Sequence, residues 1–319
     1  MPQNNLKTVI ADIKALRIQG ASNVRKSAVA ALQNAAQNSR AKTIKEFKKE
    51  IEKSALRLLC SRPTEPGMRT AIRIILKAAS ARTENVEALK RNVANVCANY
   101  ETDRERAMDK IAEYGNNLIE KGSIVFTHCH SDTVEHIIKK SRKKIEQVIC
   151  TETRPVLQGR ITATNLSRAG LDVVMIVDSA AARFIHKADL FLTGADAVLN
   201  DGGVVNKIGT SLISLAAHKN NVPHFVATSS HCFDPVTYFG VPEQIEERPA
   251  KEIWEKAPKK VRIRNPAFDI TEAGLVKGII TEKGIFSADN FALEMYKELG
   301  LEKNSADFLS LLKLMKKQQ

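Results

Sequence analysis

The sequence predicts an α/β protein with an N-terminal helical domain over residues 1–118. A parallel sheet with helices on both faces follows over residues 119–319. Three observations carry this division. Residues 1–118 hold three of the 15 glycines and the remainder hold twelve. Apolar residues recur at helical spacing in the first part, whereas the second breaks into short β-branched runs separated by helix-like segments. Charge divides at the same place. The first part carries 22 Lys+Arg and 12 Asp+Glu, a net +10, and the second 27 and 24, a net +3. The glycine and charge shifts put the boundary near Asn116–Gly122.

Leu6, Ile10, Ile13 and Leu16 fall on one helical face, and Gly20 interrupts the pattern before a second helix rich in Val and Ala. Thr43 followed by Glu46 has the spacing of a capping box, opening a helix that runs toward Cys60. The Arg-Pro-Thr-Glu-Pro-Gly run at 62–67 reads as a loop, because two prolines and a glycine oppose regular structure. A long amphipathic helix is expected from about Thr83 to Tyr114. Beyond the boundary, strands are expected at Ser123–Thr127, Gln147–Thr151, Val173–Val177, Leu190–Thr193, His224–Ala227 and Gly278–Thr281. The intervening helices are expected at Thr133–Lys144, Thr162–Ala169, Asn206–Lys219 and Ala288–Leu299. Strand–helix alternation of this kind implies a Rossmann-like parallel sheet covered on both faces.

Composition narrows the function classes. A chain of 319 residues that is 43% hydrophobic is neither disordered nor fibrous, and it has enough residues for a sizeable core. No apolar run approaches the ~20 residues that span a bilayer. The N-terminal segment has no uninterrupted apolar stretch of the signal-peptide kind, so the expectation is a cytoplasmic protein. The five cysteines, Cys60, Cys97, Cys129, Cys150 and Cys232, form no C-x-x-C pair. That argues against a structural zinc site or a disulfide framework. The formal charge of +13 suits a nucleic acid, an anionic surface or a phosphorylated substrate. Aromatics are only 5% of the chain and no nucleic-acid motif is visible, so nucleic acid is not the expected partner.

In a parallel sheet the ligand lies beyond the carboxyl ends of the strands, near a topological switch point. The polar residues of the second domain cluster there. The first strand leads into Thr127-His128-Cys129-His130-Ser131-Asp132-Thr133, the second into Thr151-Glu152-Thr153-Arg154-Pro155, and the third into Asp178-Ser179-Ala180. Gly194-Ala195-Asp196 and Asn206-Lys207 follow the fourth strand, and Ser229-Ser230-His231-Cys232 the fifth. Cys129 stands just before a helix N-terminus, a position that favours a thiolate, and His128 and His130 flank it as candidate cations. A His-Cys-His metal site is disfavoured, because adjacent side chains on a strand point to opposite faces. Asp196, if buried, would hold a proton at neutral pH and supply an acid to complement the Cys129 base. Gly20-Ala21-Ser22, Ser131-Asp132-Thr133 and Asn206-Lys207 each precede or open an expected helix and so offer anion sites. Arg62 and Arg154 each precede a proline, which favours extended backbone.

T-H-C-H-S, T-E-T-R-P-x-x-Q-G-R, G-A-D and N-K-I-G-T form an ordered set that resembles the initiation factor 2B-like family of sugar-phosphate isomerases. Within it, the likeness is nearest to the archaeal branch that acts on ribose 1,5-bisphosphate. Methylthioribose 1-phosphate isomerases and the alpha, beta and delta subunits of initiation factor 2B are further members. The resemblance runs from Ile18-Gln19-Gly20-Ala21 to Asn265-Pro266-Ala267-Phe268-Asp269 and Ile279-Ile280-Thr281-Glu282. It implies an aldose–ketose isomerase with Cys129 as proton acceptor and Asp196 as proton donor, forming ribulose 1,5-bisphosphate without a metal or redox cofactor. It also implies AMP as an activator, a role in nucleoside salvage, and a homo-oligomer, a dimer through the C-terminal domain or a hexamer. The non-catalytic translation subunits generally lack the Cys/Asp pair, which places the chain with the enzymes. The alternative is a regulatory protein that binds the alpha subunit of initiation factor 2.

Three positions depart from the isomerase pattern. Gln19 stands where the first phosphate loop usually has Arg, Asp132 where a basic residue follows the catalytic Cys, and Cys232 where the bisphosphate branch has Lys. Each missing cation removes charged hydrogen bonds of about 1.5–3 kcal/mol.

Overall fold

The computed structural model describes residues 5–15, 17–18, 21–62 and 65–299, with the backbone alone for residues 21, 22 and 66. Leu16, Gln19, Gly20, the side chains of Ala21 and Ser22, and residues 300–319 of the expected second domain lie outside the described residues. The chain forms two compact units whose boundary falls between Glu105 and Arg106.

The first unit is helical, as its periodicity requires. It holds α1 (Leu6–Lys14), α2 (Ala21–Gln37), α3 (Ile44–Leu59), α4 (Pro66–Ala79) and the first part of α5 (Val86–Leu118). Thr43 and Glu46 form the expected capping box, each side chain taking the other's backbone N–H. The 62–67 run is not a loop throughout, since α4 starts at Pro66. Proline is tolerated there because the first N–H of a helix has no intrahelical acceptor to lose. The core of this unit contains Phe47, Ile51, Leu58, Met68, Ile72 and Ile75, all fully buried. Each such side chain contributes about 1.5–3 kcal/mol.

The second unit is built on a seven-stranded sheet. In chain order its strands and helices are β1 (Ser123–Thr127), α6 (Asp132–Lys140), β2 (Ile145–Thr151), α7 (Gly159–Arg168), β3 (Val173–Ile176), α8 (Ala181–Phe184) and β4 (Leu190–Thr193). Then come β5 (Ala197–Val198), β6 (Val204–Lys207), α9 (Thr210–Lys219), β7 (His224–Ala227), β8 (Phe268–Thr271), β9 (Gly278–Thr281), β10 (Gly284–Phe286) and α10 (Ala288–Leu299). The spatial order is β10-β9-β7-β4-β1-β2-β3. All neighbours are parallel except β9–β10. This is the Rossmann order with one antiparallel strand added, and the order reverses between β1 and β4.

Successive residues of β1 face opposite layers. Val125 joins a core with Val134, Ile137 and Ile138 of α6, Leu166 of α7, and Ile111 and Ala112 of α5. Phe126 joins another with Ala181 of α8 and Ile213 and Ala217 of α9. The packing of Ile111 and Ala112 explains why the unit boundary precedes the expected 118/119 boundary. The glycine count marks where helix gives way to strand, but the last turns of α5 already pack with the sheet layer. A Cβ on Gly115 would stand 2.8 Å from the Ile137 side chain, so the close α5–α6 contact requires glycine.

A second, three-stranded antiparallel sheet, β5-β6-β8, was not expected from the sequence. Its strands are short, and β5 has two residues, too few to establish a period. It changes one assignment directly. Asn206 and Lys207 end strand β6, and the helix expected from Asn206 begins at Thr210. The helix expected to reach Lys144 closes at Lys140 with Ser141 as its C-cap.

Candidate active site

Cys129 follows β1 in a left-handed conformation, φ 70°, and is buried. A non-glycine residue held there costs about 1–3 kcal/mol and needs outside support. Two threonine hydroxyls supply it. The Cys129 N–H donates to Thr153 Oγ1 at 3.0 Å, and Thr162 Oγ1 donates to the Cys129 carbonyl at 2.9 Å. Thr153 is itself left-handed, φ 64°, and its N–H and that of Arg154 both donate to the Asp178 carboxylate, at 2.8 and 2.6 Å. The strand ends of β1, β2 and β3 are thus tied into one hydrogen-bonded crest.

The flanking histidines do not act as a matched pair. His128 Nε2 lies 2.9 Å from the Ile208 carbonyl, which can only accept, so Nε2 carries the proton. Nδ1 then accepts from Thr151 Oγ1 at 2.6 Å. Burial lowers the pKa of His128 against the opposing effect of the Ile208 carbonyl, keeping the ring neutral. His128 is therefore a structural tie between β1, β2 and the segment after β6, not the cation expected beside the thiol. His130 directs Nδ1–H to Thr162 Oγ1 at 3.1 Å, and its Nε2 lies 3.4 Å from Asp132 Oδ1.

Asp196 lies between β4 and β5, half-buried, and its N–H donates to the Val205 carbonyl of β6 at 2.9 Å. Gly194 makes this turn possible. A Cβ there would meet Ser131 Oγ at 2.7 Å and Ser131 Cβ at 2.9 Å. The segment after β4 therefore passes directly against the segment after β1, across the switch point. Burial pushes the Cys129 thiol up to about 11. Lys207 and the His130 backbone N–H oppose that rise, while the charges of Asp196 and Asp178 add to it. Cys129, Asp196, Lys207 and Asp178 are thus within electrostatic reach of one another.

The other expected residues divide by position. Ser131 caps α6, its Oγ accepting the Val134 N–H at 3.4 Å, and the first turn carries Asp132 and Glu135. Those carboxylates already complement the helix N-terminus that Ser131, Asp132 and Thr133 were expected to offer to an anion. The corresponding N–H groups of α9 are likewise taken. Asp269 accepts from Gly209 at 2.7 Å and from Ser211 at 3.2 Å. Burial raises the pKa of Asp269, and these N–H groups oppose the rise. Asn206 and Lys207 consequently do not open an anion site at a helix start. Asn206 is buried and donates to Thr210 Oγ1 at 3.0 Å, and Lys207 Nζ lies 5.1 Å from the centre of the Phe268 ring.

Arg154 is exposed at the end of β2, precedes a cis proline, and directs its guanidinium to the Pro155 and Ile253 carbonyls at 3.4 and 3.2 Å. Arg62 belongs to the helical unit, where Nη1 lies 3.6 Å from Glu65. Cys232 is half-buried in the turn after β7. Among the described residues no cluster of three His, Cys, Asp or Glu side chains is placed to hold a metal, and no helix is long and apolar enough to cross a membrane.

Thr153, Thr162 and Asp178 were not singled out from the sequence. Thr153 sits inside the T-E-T-R-P motif and Asp178 directly follows β3, but nothing in their spacing signals a left-handed turn.

A Rossmann-order sheet with Cys129 and Asp196 following adjacent strands on either side of its switch point defines an α/β protein with a thiol and a carboxylate at the carboxyl ends of its central strands. The chain belongs to the initiation factor 2 subunit family, which it matches over residues 17–288. It is 37% identical over 283 residues to the ribose 1,5-bisphosphate isomerase of Thermococcus kodakarensis, covering 86% of this chain and 88% of that protein. The translation initiation factor eIF-2B structure of Pyrococcus horikoshii superposes with a TM-score of 0.74 at 29% identity, over 90% of this chain and 98% of that one. The 5-methylthioribose 1-phosphate isomerase structure from the same organism gives 0.72 at 26% identity, over 92% and 88%.

Proposed function

We propose that this protein is an aldose–ketose isomerase that converts ribose 1,5-bisphosphate to ribulose 1,5-bisphosphate. The observation that supports the reading is that Cys129 and Asp196 follow adjacent strands on either side of the switch point and act on each other electrostatically, in a chain 37% identical to an isomerase of that name. A sugar phosphorylated at its anomeric carbon cannot open its ring as a free hemiacetal does. Asp196 gives a proton to the ring oxygen as the C1–O bond breaks, and Cys129 takes the proton from C2. The resulting enol is protonated at C1 by the Cys129 thiol, and its C2 hydroxyl returns a proton to Asp196 as the ketone forms. Protons balance, and each acid–base step is worth about 10²–10⁴-fold.

The electrostatics support this division of labour. The Asp196 charge opposes ionisation of Cys129. A proton on Asp196 removes that opposition, so the productive pair is a thiolate beside a carboxylic acid, with the net charge unchanged. Lys207 supplies the positive charge that favours the thiolate. The chemistry requires no metal or redox cofactor. AMP is proposed as an activator, and a dimer or hexamer as the working assembly.

The test is to incubate the protein with ribose 1,5-bisphosphate, with and without AMP, and to assay ribulose 1,5-bisphosphate. Turnover that is lost in Cys129→Ser and in Asp196→Asn is expected. Absence of turnover by the parent protein under both conditions refutes the substrate, and undiminished turnover by Cys129→Ser refutes the base. The same assay, run beside a pulldown with the alpha subunit of initiation factor 2, separates an isomerase from a regulatory binding protein.

A further inference from the structure

We infer that Thr153 and Thr162 are positioning residues for Cys129, their two hydroxyls clamping its backbone in the left-handed conformation that presents the thiol to the site. The inference rests on the reading of Cys129 as the base, and it adds two residues that do not themselves touch the reacting atoms. β1 ends at Thr127, so neither backbone polar group of Cys129 is satisfied by a sheet ladder. Both are instead satisfied by side chains, the N–H by Thr153 Oγ1 at 3.0 Å and the carbonyl by Thr162 Oγ1 at 2.9 Å. An L-residue at φ 70° has no intrinsic preference for that backbone over the right-handed one, so the partners impose it.

The direction of every bond in the clamp is determined. The Ile208 carbonyl fixes the proton of His128 on Nε2, so Nδ1 accepts from the Thr151 hydroxyl at 2.6 Å. Having given its only proton to His128, Thr151 can only accept from Thr153, 3.3 Å away. That leaves a lone pair of Thr153 for the Cys129 N–H. On the other side Thr162 gives its only proton to the Cys129 carbonyl, so His130 Nδ1 must donate to Thr162 at 3.1 Å. Thr153 is itself anchored by Asp178, which takes the N–H groups of residues 153 and 154. A threonine whose role was packing alone would need neither this polarity nor this register. Both threonines are buried, so valine preserves volume and removes the hydroxyl, while serine keeps the hydroxyl.

The test compares Thr153→Val, Thr153→Ser, Thr162→Val and Thr162→Ser with the parent, reading three quantities on the full chain. These are kcat and KM for ribose 1,5-bisphosphate, the pH midpoint of Cys129 alkylation by iodoacetamide (followed by peptide mass), and the melting temperature. The valine variants are expected to lose roughly 10–100-fold in kcat with KM within about threefold, as a displaced reacting group does. The serine variants should stay within about threefold of the parent in kcat. Release of the clamp admits water to the thiol, so the alkylation midpoint of the valine variants moves down from the parent value.

Valine variants that keep the parent kcat, a loss that serine does not rescue, or an unmoved alkylation midpoint overturn the inference. If the parent itself does not turn over this sugar, the substrate reading fails, and the alkylation midpoints decide the clamp independently. Should one valine variant fail to fold, the other, on the opposite backbone group, carries the test.

Discussion

Replacing Gly194 by alanine tests the geometry that brings the two candidate catalytic residues together. The new methyl would stand 2.7 Å from Ser131 Oγ and 2.9 Å from Ser131 Cβ, where ordinary contact begins at 3.4 Å. Either the turn after β4 or the start of α6 must therefore yield by about 0.7 Å in a close-packed region. Overpacking of this kind costs about 1–3 kcal/mol. In a unit of this size it lowers Tm by roughly 2–4 °C per kcal/mol. Asp196 lies two residues beyond Gly194, so the same displacement is expected to lower kcat by up to ~10²-fold.

The assay is a thermal melt together with turnover of ribose 1,5-bisphosphate, run on Gly194→Ala, Ser131→Gly and the double variant. Ser131→Gly removes both atoms of the clash, and glycine in place of serine at an N-cap costs only a few tenths of a kcal/mol. The double variant should therefore recover most of the Tm and activity lost in Gly194→Ala. A Gly194→Ala protein that melts with the parent, or a double variant that merely adds the two single effects, would refute the proposed contact.

Three further outcomes are expected. His224 is fully buried between Thr193 Oγ1 and Ser214 Oγ, both at 2.9 Å, and burial brings its pKa down to about 3. The unfolded chain binds this proton at about pH 6.5, so the contribution is intact above that pH. It is lost progressively as pH falls toward 3, by the order of 5 kcal/mol in total. Urea titrations between pH 7 and 4 should show that slope, and His224→Gln should flatten it. Lys207→Gln removes the foremost charge favouring the thiolate, so the Cys129 alkylation midpoint should rise above that of the parent. A midpoint that stays or falls would contradict the placement of Lys207. In the helical unit, Thr43→Ala breaks the capping box and should cost about 1 kcal/mol in urea denaturation.

Much of the fold was legible because periodicity carries it. Ser123–Thr127 and Leu190–Thr193 were expected at the observed bounds, and the alternation of strands and helices dictated a parallel sheet. The candidate pair was legible for a different reason, since both residues belong to motifs that follow strands meeting at the switch point. What escaped was determined by tertiary contact. The β5-β6-β8 sheet has elements too short for a period, and it moved Lys207 from a helix start to a strand end. The threonine clamp depends on a left-handed backbone that no composition reveals, because cysteine and threonine rarely adopt it. His128 looked like a cation on adjacency alone, and only the Ile208 carbonyl fixes its neutral tautomer.

Under the proposed mechanism, the left-handed backbone at Cys129 also separates catalytic competence from folding. Glycine at that position would relieve a backbone strain of about 1–3 kcal/mol and forfeit the burial of one small side chain, an effect of similar size and opposite sign. Cys129→Gly is thus expected to be nearly silent in stability while removing the group proposed to move the proton. Under the proposed mechanism, selection for a well-folded, abundant chain exerts little hold on this residue, and the demand for turnover is what keeps a thiol there. A stability screen would pass the variant that an activity screen rejects.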